Sequence, residues 1–204
     1  MSAPSLTLYG TRLSGHAHRV ESFLRLLGLP YDYRDTPADR RKQPDFLALN
    51  PLGEIPVLVD GDLVLADSNA ILVYLARRYA PESRWYSEDP VIAAQIQRWL
   101  AIGSCEVRTG PALARAIGLF KRTGHLDEAQ AIARKLLAMM DGALAGRAWL
   151  ADTVPTIADL SCYPYLARVP EGGVPLEPYP QVQAWLARME ALPGFPPMPW
   201  ASKA

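Results

Sequence analysis

Ser14 is a residue whose surroundings could support chemistry. It lies in the stretch LYGTRLSGHAHRV, residues 8–20, where a short apolar run passes into a helical pattern, and His16 and His18 follow it closely. A serine beside histidines could be an acyl-transfer nucleophile with its base. The two histidines could instead be half of a metal site, or the serine could be only a helix N-cap.

The spacing argues against the first two of these roles. A nucleophile elbow needs the pattern G-x-S-x-G after a strand, whereas the chain has TRLSG around Ser14. His16 and His18 are two positions apart, so on a helix their side chains point about 200° away from each other. The third histidine, His125, has no companion motif. We therefore expect no metal site, and Ser14 remains a candidate for capping or for other chemistry.

A second stretch of interest is GEIPVLVDGDLVLADSNAI, residues 53–71. Pro56 opens an apolar strand, where proline is unusual because it cannot donate to the ladder. A cis Ile55–Pro56 bond would present the Ile55 backbone to an extended peptide, although an edge-strand proline without a role is the alternative. Asp67 and Ser68 begin a helix, where they suit an ammonium group and a carboxylate respectively, although N-capping alone explains much of both.

A unit of alternating strands and helices must position these residues. The chain reads as a strand (SLTLYG), a helix (HRVESFLRLLGLP), a strand (YDYRD), a brief helical or irregular piece (QPDFLALNP), a hairpin around Asp60-Gly61 and a helix (DSNAILVYLARRYA). Apolar residues recur at helical spacing in the helices, and Asp-Gly between two apolar runs is a strong hairpin signal. We predict a βαβ-ββα domain over residues 1–80.

Strand signals disappear after residue 80. Beyond a linker at 81–89, helical patterns cover 90–118, roughly 126–144, 156–168 and 180–191, with Pro and Gly between and after them. The sequence therefore predicts an all-helical domain over residues 90–204. The expected fold class is α/β followed by all-α.

The composition is that of a globular protein. Half of the 204 residues are apolar, and Lys plus Arg balance Asp plus Glu at 21 each, so no basic field favours nucleic acid or an anionic membrane. No apolar run approaches the ~20 residues of a membrane helix, and MSAPSLTLYG has no signal-peptide pattern. Cys105 and Cys162 are expected to be separate thiols. We expect a cytoplasmic protein without a nucleic-acid or membrane partner.

Together, the motifs resemble those of the cytosolic glutathione S-transferases. The order of elements, the EIP turn at 54–56 and the ADSNAILVYLARRY helix start resemble their thioredoxin-like, glutathione-binding domain. The helical remainder resembles their second domain, in which PTIADLSCYPYL matches an S/T-x-x-D capping box with Thr156 and Asp159 in the two capping places. The C-terminal stretch YPQVQAWLARMEALPGFPPM also resembles the corresponding segment of these proteins. The resemblance covers nearly the whole chain.

YGTRLSGHAHRV resembles the S-P-x-x-x-R-V helix start of the serine-type members, of a bacterial theta- or phi-like kind, with Gly15 in the proline place and Arg19 in the arginine place. The resemblance implies that Ser14 donates a hydrogen bond to the sulfur of glutathione and so favours the reactive thiolate. Lowering a thiol pKa by about two units takes ~2.7 kcal/mol. One hydrogen bond to a charged acceptor supplies about 1.5–3 kcal/mol, and a helix N-terminus adds about 0.3–1 kcal/mol, so no general base is needed.

Residues other than Ser14 could also donate the hydrogen bond to the glutathione sulfur. Tyr9 lies near the end of the first strand, where tyrosine-type members keep their hydroxyl, and Thr11 follows it in the loop. His16 is expected at the pocket rim or in solvent. The first domain contains no cysteine, which disfavours the disulfide-reducing chemistry of cysteine-type members.

The resemblance also implies contacts at the glycyl end of glutathione. KQPDF resembles the segment K-x-P-E-F, which places Lys42 near the glycyl carboxylate, with Arg41 as its substitute. Glu54 stands where the family commonly has Gln or Lys. Its negative charge would repel the glycyl carboxylate, so this position departs from the family pattern.

The remaining implied contacts lie along the rest of the tripeptide. Ile55, followed by Pro56, should pair through its backbone with the cysteinyl residue. Asp67 and Ser68 should hold the γ-glutamyl amine and carboxylate respectively.

The implied activity is conjugation of glutathione, as co-substrate, to a small hydrophobic electrophile, by a homodimer with a role in detoxification. A partner-binding or regulatory protein that has lost catalysis is one alternative, and a glutathione-dependent isomerase or dehalogenase is another. The electrophile should lie between the domains, beside the first loop and the long helix after the linker. That helix offers several candidate lining residues: Trp99, Gly103, Cys105, Glu106, Arg108 and Arg115.

Overall fold

The computed structural model describes residues 6–201. Its N-terminal part contains a mixed four-stranded sheet of β1 (Leu6–Gly10), β2 (Tyr31–Asp35), β3 (Val57–Asp60) and β4 (Leu63–Ala66), in the order β2-β1-β3-β4. β1 and β2 are parallel, whereas β3 runs antiparallel to both β1 and β4. A parallel pair needs a crossover, which α1 (Gly15–Leu26) supplies. The predicted thioredoxin-like class is confirmed.

Local signals determine the two long helices of this domain. The helix α1 buries Val20, Phe23 and Leu24 at helical spacing. The helix α3 (Ser68–Tyr79) likewise buries Ile71, Leu72 and Leu75, and a short helix α2 (Pro44–Leu49) precedes β3.

The hairpin β3–β4 confirms the Asp-Gly prediction. Asp60 pairs with Leu63 across a two-residue loop, in which Gly61 has a φ of +59°. That left-handed conformation favours glycine, because a side chain there is strained.

The C-terminal part is helical, as predicted, with α4 (Pro90–Ser104), α5 (Leu113–Phe120), α6 (Leu126–Ala143), α7 (Ile157–Ala167) and α8 (Pro180–Glu190). The expectation of one continuous helix over 90–118 is wrong. The chain leaves α4 at Cys105 and makes a π-helical turn at Arg108–Ala112 before α5. Pro111 cannot donate a backbone hydrogen bond, and a Cβ on Gly110 would lie 2.8 Å from the Ala133 nitrogen of α6. The break lets this turn pack closely against α6.

The helix α7 is buried along its whole length. Its predicted capping box is present: Thr156 caps the helix, and Asp159 accepts from the Thr156 nitrogen at 2.9 Å. The same buried carboxylate accepts from the Leu150 nitrogen at 3.0 Å and from Trp185 Nε1 at 2.9 Å. One side chain therefore joins the start of α7 to the preceding loop and to α8.

A buried amide joins the two domains. Asn69 of α3 donates to the Leu100 carbonyl at 2.9 Å and to Ser104 Oγ at 3.0 Å, both on α4. Its oxygen accepts from Ser161 Oγ of α7 at 2.8 Å. Because all of these groups are paired, the amide fixes how α3 lies against the helical domain.

The two cysteines do not form a disulfide: Cys105 is an exposed thiol and Cys162 a buried one, as predicted. Among residues 6–201, no helix is both long enough and apolar enough to span a membrane.

Candidate functional site

Ser14 is the N-cap of α1. Its Oγ accepts from the Ala17 nitrogen at 3.2 Å. A hydroxyl that accepts this bond still has its own proton to donate, so capping does not exclude chemistry. The next residue, Gly15, lies against Tyr165 of α7, since a Cβ there would be 2.7 Å from the ring. This contact explains why glycine stands where the resemblance expected proline.

A cleft of about 1040 Å³ opens beside Ser14, between the two domains. The structure brings together most of the predicted site residues, which line this cleft: Ser14, Glu54, Ile55, Pro56, Asp67 and Ser68. Lys42 does not line it and lies instead in an adjoining shallow depression. Arg41, the substitute at the glycyl end, lines both.

The loop before β3 presents its backbone to the cleft. The Ile55–Pro56 bond is cis, one of the two arrangements that the sequence left open. Asn50 holds the loop from behind, because its Nδ2 donates to the Glu54 carbonyl at 2.8 Å and its Oδ1 accepts from the Leu52 nitrogen at 3.2 Å. Within residues 6–201, no protein group forms a hydrogen bond with the Ile55 backbone.

Asp67 and Ser68 lie at the start of α3. Asp67 is the N-cap, and its Oδ1 accepts from the nitrogens of Asn69 and Ala70, each at 2.9 Å. Ser68 is buried, and its Oγ accepts from Arg19 Nη1 at 3.1 Å. The start of α3 therefore offers a carboxylate and a hydroxyl beside a cation.

That cation is unusual because it is buried without a carboxylate partner. Arg19 is 1% exposed, and no acidic side chain of the described residues forms an ion pair with it. Besides Ser68, its guanidinium donates to the Gly103 carbonyl at 3.2 Å and to His16 Nδ1 at 3.0 Å. A buried charge is costly unless it is paired or well hydrogen-bonded. This region of the cleft therefore favours an anion.

Burial and the neighbouring Arg19 together determine the protonation of His16. Arginine only donates, so His16 Nδ1 must be an acceptor. Burial, followed by the charges of Arg19 and Arg108, lowers the pKa of His16 well below its usual value. The ring is therefore neutral near pH 7, with its proton on Nε2. His16 is half-buried in the cleft wall, rather than solvated.

The opposite wall comes from the helical domain. Of the candidates named from the sequence, only Arg108 and Arg115 line the cleft, whereas Trp99 is buried in the core. Arg108 reaches across to Glu54, with 3.5 Å between Nη2 and Oε1. Further lining residues were not predicted: Leu113, Phe120 and Arg122, which the break after Cys105 redirects with α5, and Tyr165 of α7.

The two other hydroxyls near Ser14 differ in position. Thr11 lines the cleft. The Tyr9 side chain does not, because it packs edge-on against Phe46 of α2, with 6.0 Å between the ring centroids.

A thioredoxin-like domain with a cis-proline loop faces a helical domain across a cleft, which is the two-domain architecture of glutathione transferases. The family model for the glutathione S-transferase N-terminal domain matches residues 8–83, and that for the C-terminal domain matches residues 109–193. The chain belongs to the glutathione S-transferase family of enzymes and resembles its theta-class members.

Individual relatives agree with this assignment. Glutathione S-transferase 3 of Zea mays is 35% identical over 205 residues, which cover 93% of this chain and 91% of that protein. A glutathione S-transferase structure from Xanthobacter autotrophicus is 30% identical, covers 98% of this chain and 99% of its own, and superposes with a TM-score of 0.89. The theta-class enzyme of Xanthomonas axonopodis pv. citri, solved with glutathione bound, is 28% identical, with coverages of 94% and 95% and a TM-score of 0.84.

Proposed function

We propose that the protein binds glutathione along the N-terminal wall of the cleft and transfers its thiolate to the electrophilic carbon of a small molecule held by the helical wall. Ser14 carries this proposal, because its hydroxyl lines the cleft with a proton free to donate. In the reaction the thiol loses its proton to water and a carbon–sulfur bond forms. In a substitution, the leaving group departs with the electron pair of its bond.

The glutathione backbone would run along the cis-proline loop. The N–H and C=O of Ile55, to which no group of residues 6–201 bonds, would bond to the cysteinyl residue, as an added strand does. The γ-glutamyl carboxylate would meet Ser68 and the N-terminus of α3, with the positive charge of Arg19 behind it. Asp67 would face the γ-glutamyl ammonium group.

The glycyl carboxylate would lie nearer to Arg41 than to Lys42, because only Arg41 lines the cleft. Glu54 would repel this carboxylate, but its ion pair with Arg108 offsets part of that repulsion. Both members of the pair are about 60% exposed, so the offset is modest.

The wider setting rests on the family. We propose a homodimer that acts in the cytoplasm on small hydrophobic electrophiles, with a role in detoxification and without a metal, a nucleic-acid partner or a membrane partner. The division into domains at residues 1–80 and 90–204, with a linker at 81–89, belongs to the same proposal.

The test is a titration with glutathione, followed by the ultraviolet absorbance of the bound thiolate against pH. We expect the wild type to lower the thiol pKa by about one to two units, of which one hydrogen bond supplies most. Ser14→Ala should bind glutathione but lose this shift, whereas Ser14→Thr, which keeps a hydroxyl, should retain part of it. Thr11→Val is the matched control from the same cleft and should behave as the wild type.

Two outcomes of this titration would contradict the proposed role of Ser14. If glutathione does not bind, the protein is not a transferase and a partner-binding role takes its place. If Ser14→Ala keeps the full shift, another donor holds the sulfur.

A further inference from the structure

Arg115 connects the helical domain to the loop that carries Ser14. It lies on α5, and its side chain is 2% exposed. Its Nη1 donates to the carbonyl of Leu13, the residue before Ser14, at 2.8 Å. Its Nε donates to Glu171 Oε2 at 2.5 Å. One guanidinium therefore holds a carboxylate of the helical domain and a peptide of the candidate catalytic loop.

This guanidinium has little freedom to move. Glu171 is 6% exposed and also accepts from the Ala201 nitrogen at 2.7 Å. The following glycine packs directly on α5, since a Cβ on Gly172 would lie 2.8 Å from the Arg115 nitrogen. A buried ion pair keeps its geometry because a shift leaves a charge without a partner. The planar guanidinium presents its donors in fixed directions.

The hydrogen bonds at Ser14 itself are local by comparison. Its nitrogen donates to the Thr11 carbonyl at 3.0 Å, its carbonyl accepts from the His18 nitrogen at 2.9 Å, and its Oγ accepts from Ala17. These bonds define a helix start but not its placement against the cleft. The bond from Arg115 crosses from the other domain and holds the carbonyl side of the peptide between Leu13 and Ser14, whose N–H side is held only locally by Thr11.

We propose that Arg115, oriented by Glu171, is a positioning residue that fixes the Leu13 carbonyl and so aims the Ser14 hydroxyl at the glutathione sulfur. The inference rests on the proposed function of Ser14. Hydrogen bonds weaken steeply as their angle closes, so a rotated peptide would leave Ser14 present but poorly aligned.

The test compares three variants by their bound thiol pKa, their affinity for glutathione and their melting temperature. Arg115→Lys keeps the charge beside Glu171 but cannot serve both acceptors. We expect the bound thiol pKa to rise by about one unit and turnover at neutral pH to fall up to about tenfold, while the dissociation constant for glutathione changes less than threefold. Glu171→Gln keeps an acceptor for Arg115 without the ion pair, so the same shift should be smaller.

Arg84→Met is the control for stability. Arg84 pairs with the buried Asp152 at 2.6 Å, far along the chain from Ser14, so its loss should lower the melting temperature without moving the thiol pKa. If both Arg115→Lys and Glu171→Gln bind glutathione with the wild-type thiol pKa, the positioning role is refuted. If Arg115→Lys does not fold, Glu171→Gln alone decides.

The same data separate the two proposals. If the wild-type protein leaves the pKa of the bound glutathione thiol unchanged, both the role of Ser14 and the positioning role of Arg115 are refuted. The same holds if Ser14→Ala keeps the wild-type shift. A shift that Ser14→Ala abolishes but the Arg115 and Glu171 variants preserve refutes only the positioning role.

Discussion

Protonation of His18 should make the stability of this protein depend on pH. The ring is buried, and its Nε2 lies 2.8 Å from the Pro196 carbonyl. A carbonyl only accepts, so Nε2 carries the proton and the neutral ring needs none on Nδ1, which lies 3.1 Å from Ser22 Oγ. Burial lowers the pKa of His18 from 6.5 to about 4, although the Pro196 carbonyl opposes this shift.

The sign and the size of the effect follow from linkage. The unfolded chain takes up a proton at His18 near pH 6.5, whereas the folded protein does so only near pH 4. Stability from this residue is therefore complete above pH 6.5 and is lost as the pH falls toward 4. The 2.5-unit difference amounts to about 3.4 kcal/mol at 1.36 kcal/mol per unit, of which about 2 kcal/mol is lost between pH 7 and pH 5.

Urea unfolding of the wild type and His18→Gln, at pH 7 and at pH 5, measures this contribution. The Gln amide keeps a donor for the Pro196 carbonyl but does not titrate. Every other ionisable group, including His16, is present in both proteins. We expect His18→Gln to be the less stable protein at pH 7, with the gap in unfolding free energy about 2 kcal/mol smaller at pH 5. If the difference in unfolding free energy between the two proteins is the same at pH 7 and at pH 5, His18 is not a buried neutral residue.

Further predictions concern packing, the buried carboxylate and the electrophile. Gly103→Ala should cost about 1–3 kcal/mol in urea unfolding, because its Cβ would collide with the Ser161 hydroxyl of α7. Gly142→Ala, in open space on α6, should instead stabilise the protein by up to about 1 kcal/mol. Asp159→Ala should cost about 3 kcal/mol or more in the same assay, because it leaves buried amide and indole donors without an acceptor. The helical wall presents Arg108 and Arg122, so kcat/KM for chlorodinitrobenzoate should exceed that for neutral chlorodinitrobenzene by about threefold. Arg122→Gln should reduce this preference, and a wild type without the preference would contradict the reasoning.

Features that depend on neighbouring residues could be predicted from the sequence. The Asp-Gly hairpin, the N-cap at Ser14 and the capping box of Thr156 and Asp159 each follow from a few adjacent residues, and the structure contains all three. The sequence also shows apolar residues at helical spacing in α1 and α3, and the structure buries residues with that spacing in both helices.

Features that depend on contacts between distant residues could not be predicted from the sequence. The break after Cys105 has a local signal in Pro111, but the close packing of Gly110 on α6 is a distant contact that no neighbouring residue indicates. Arg41 and Lys42 are adjacent, so only the fold decides which of them lines the cleft. The neutral state of His16 depends first on its burial and then on the Arg19 guanidinium one turn away, which itself bonds to α4.

The amide of Asn69 has a consequence for chimeras between relatives. Its nitrogen donates to two acceptors on α4, the Leu100 carbonyl and Ser104 Oγ, and its oxygen accepts from Ser161 Oγ of α7. Exchanging the helical domain for one that lacks hydroxyls at 104 and 161 would leave polar atoms sealed between the domains. Functional chimeras should therefore take Asn69, Ser104 and Ser161 from the same parent, so that α3, α4 and α7 are exchanged together.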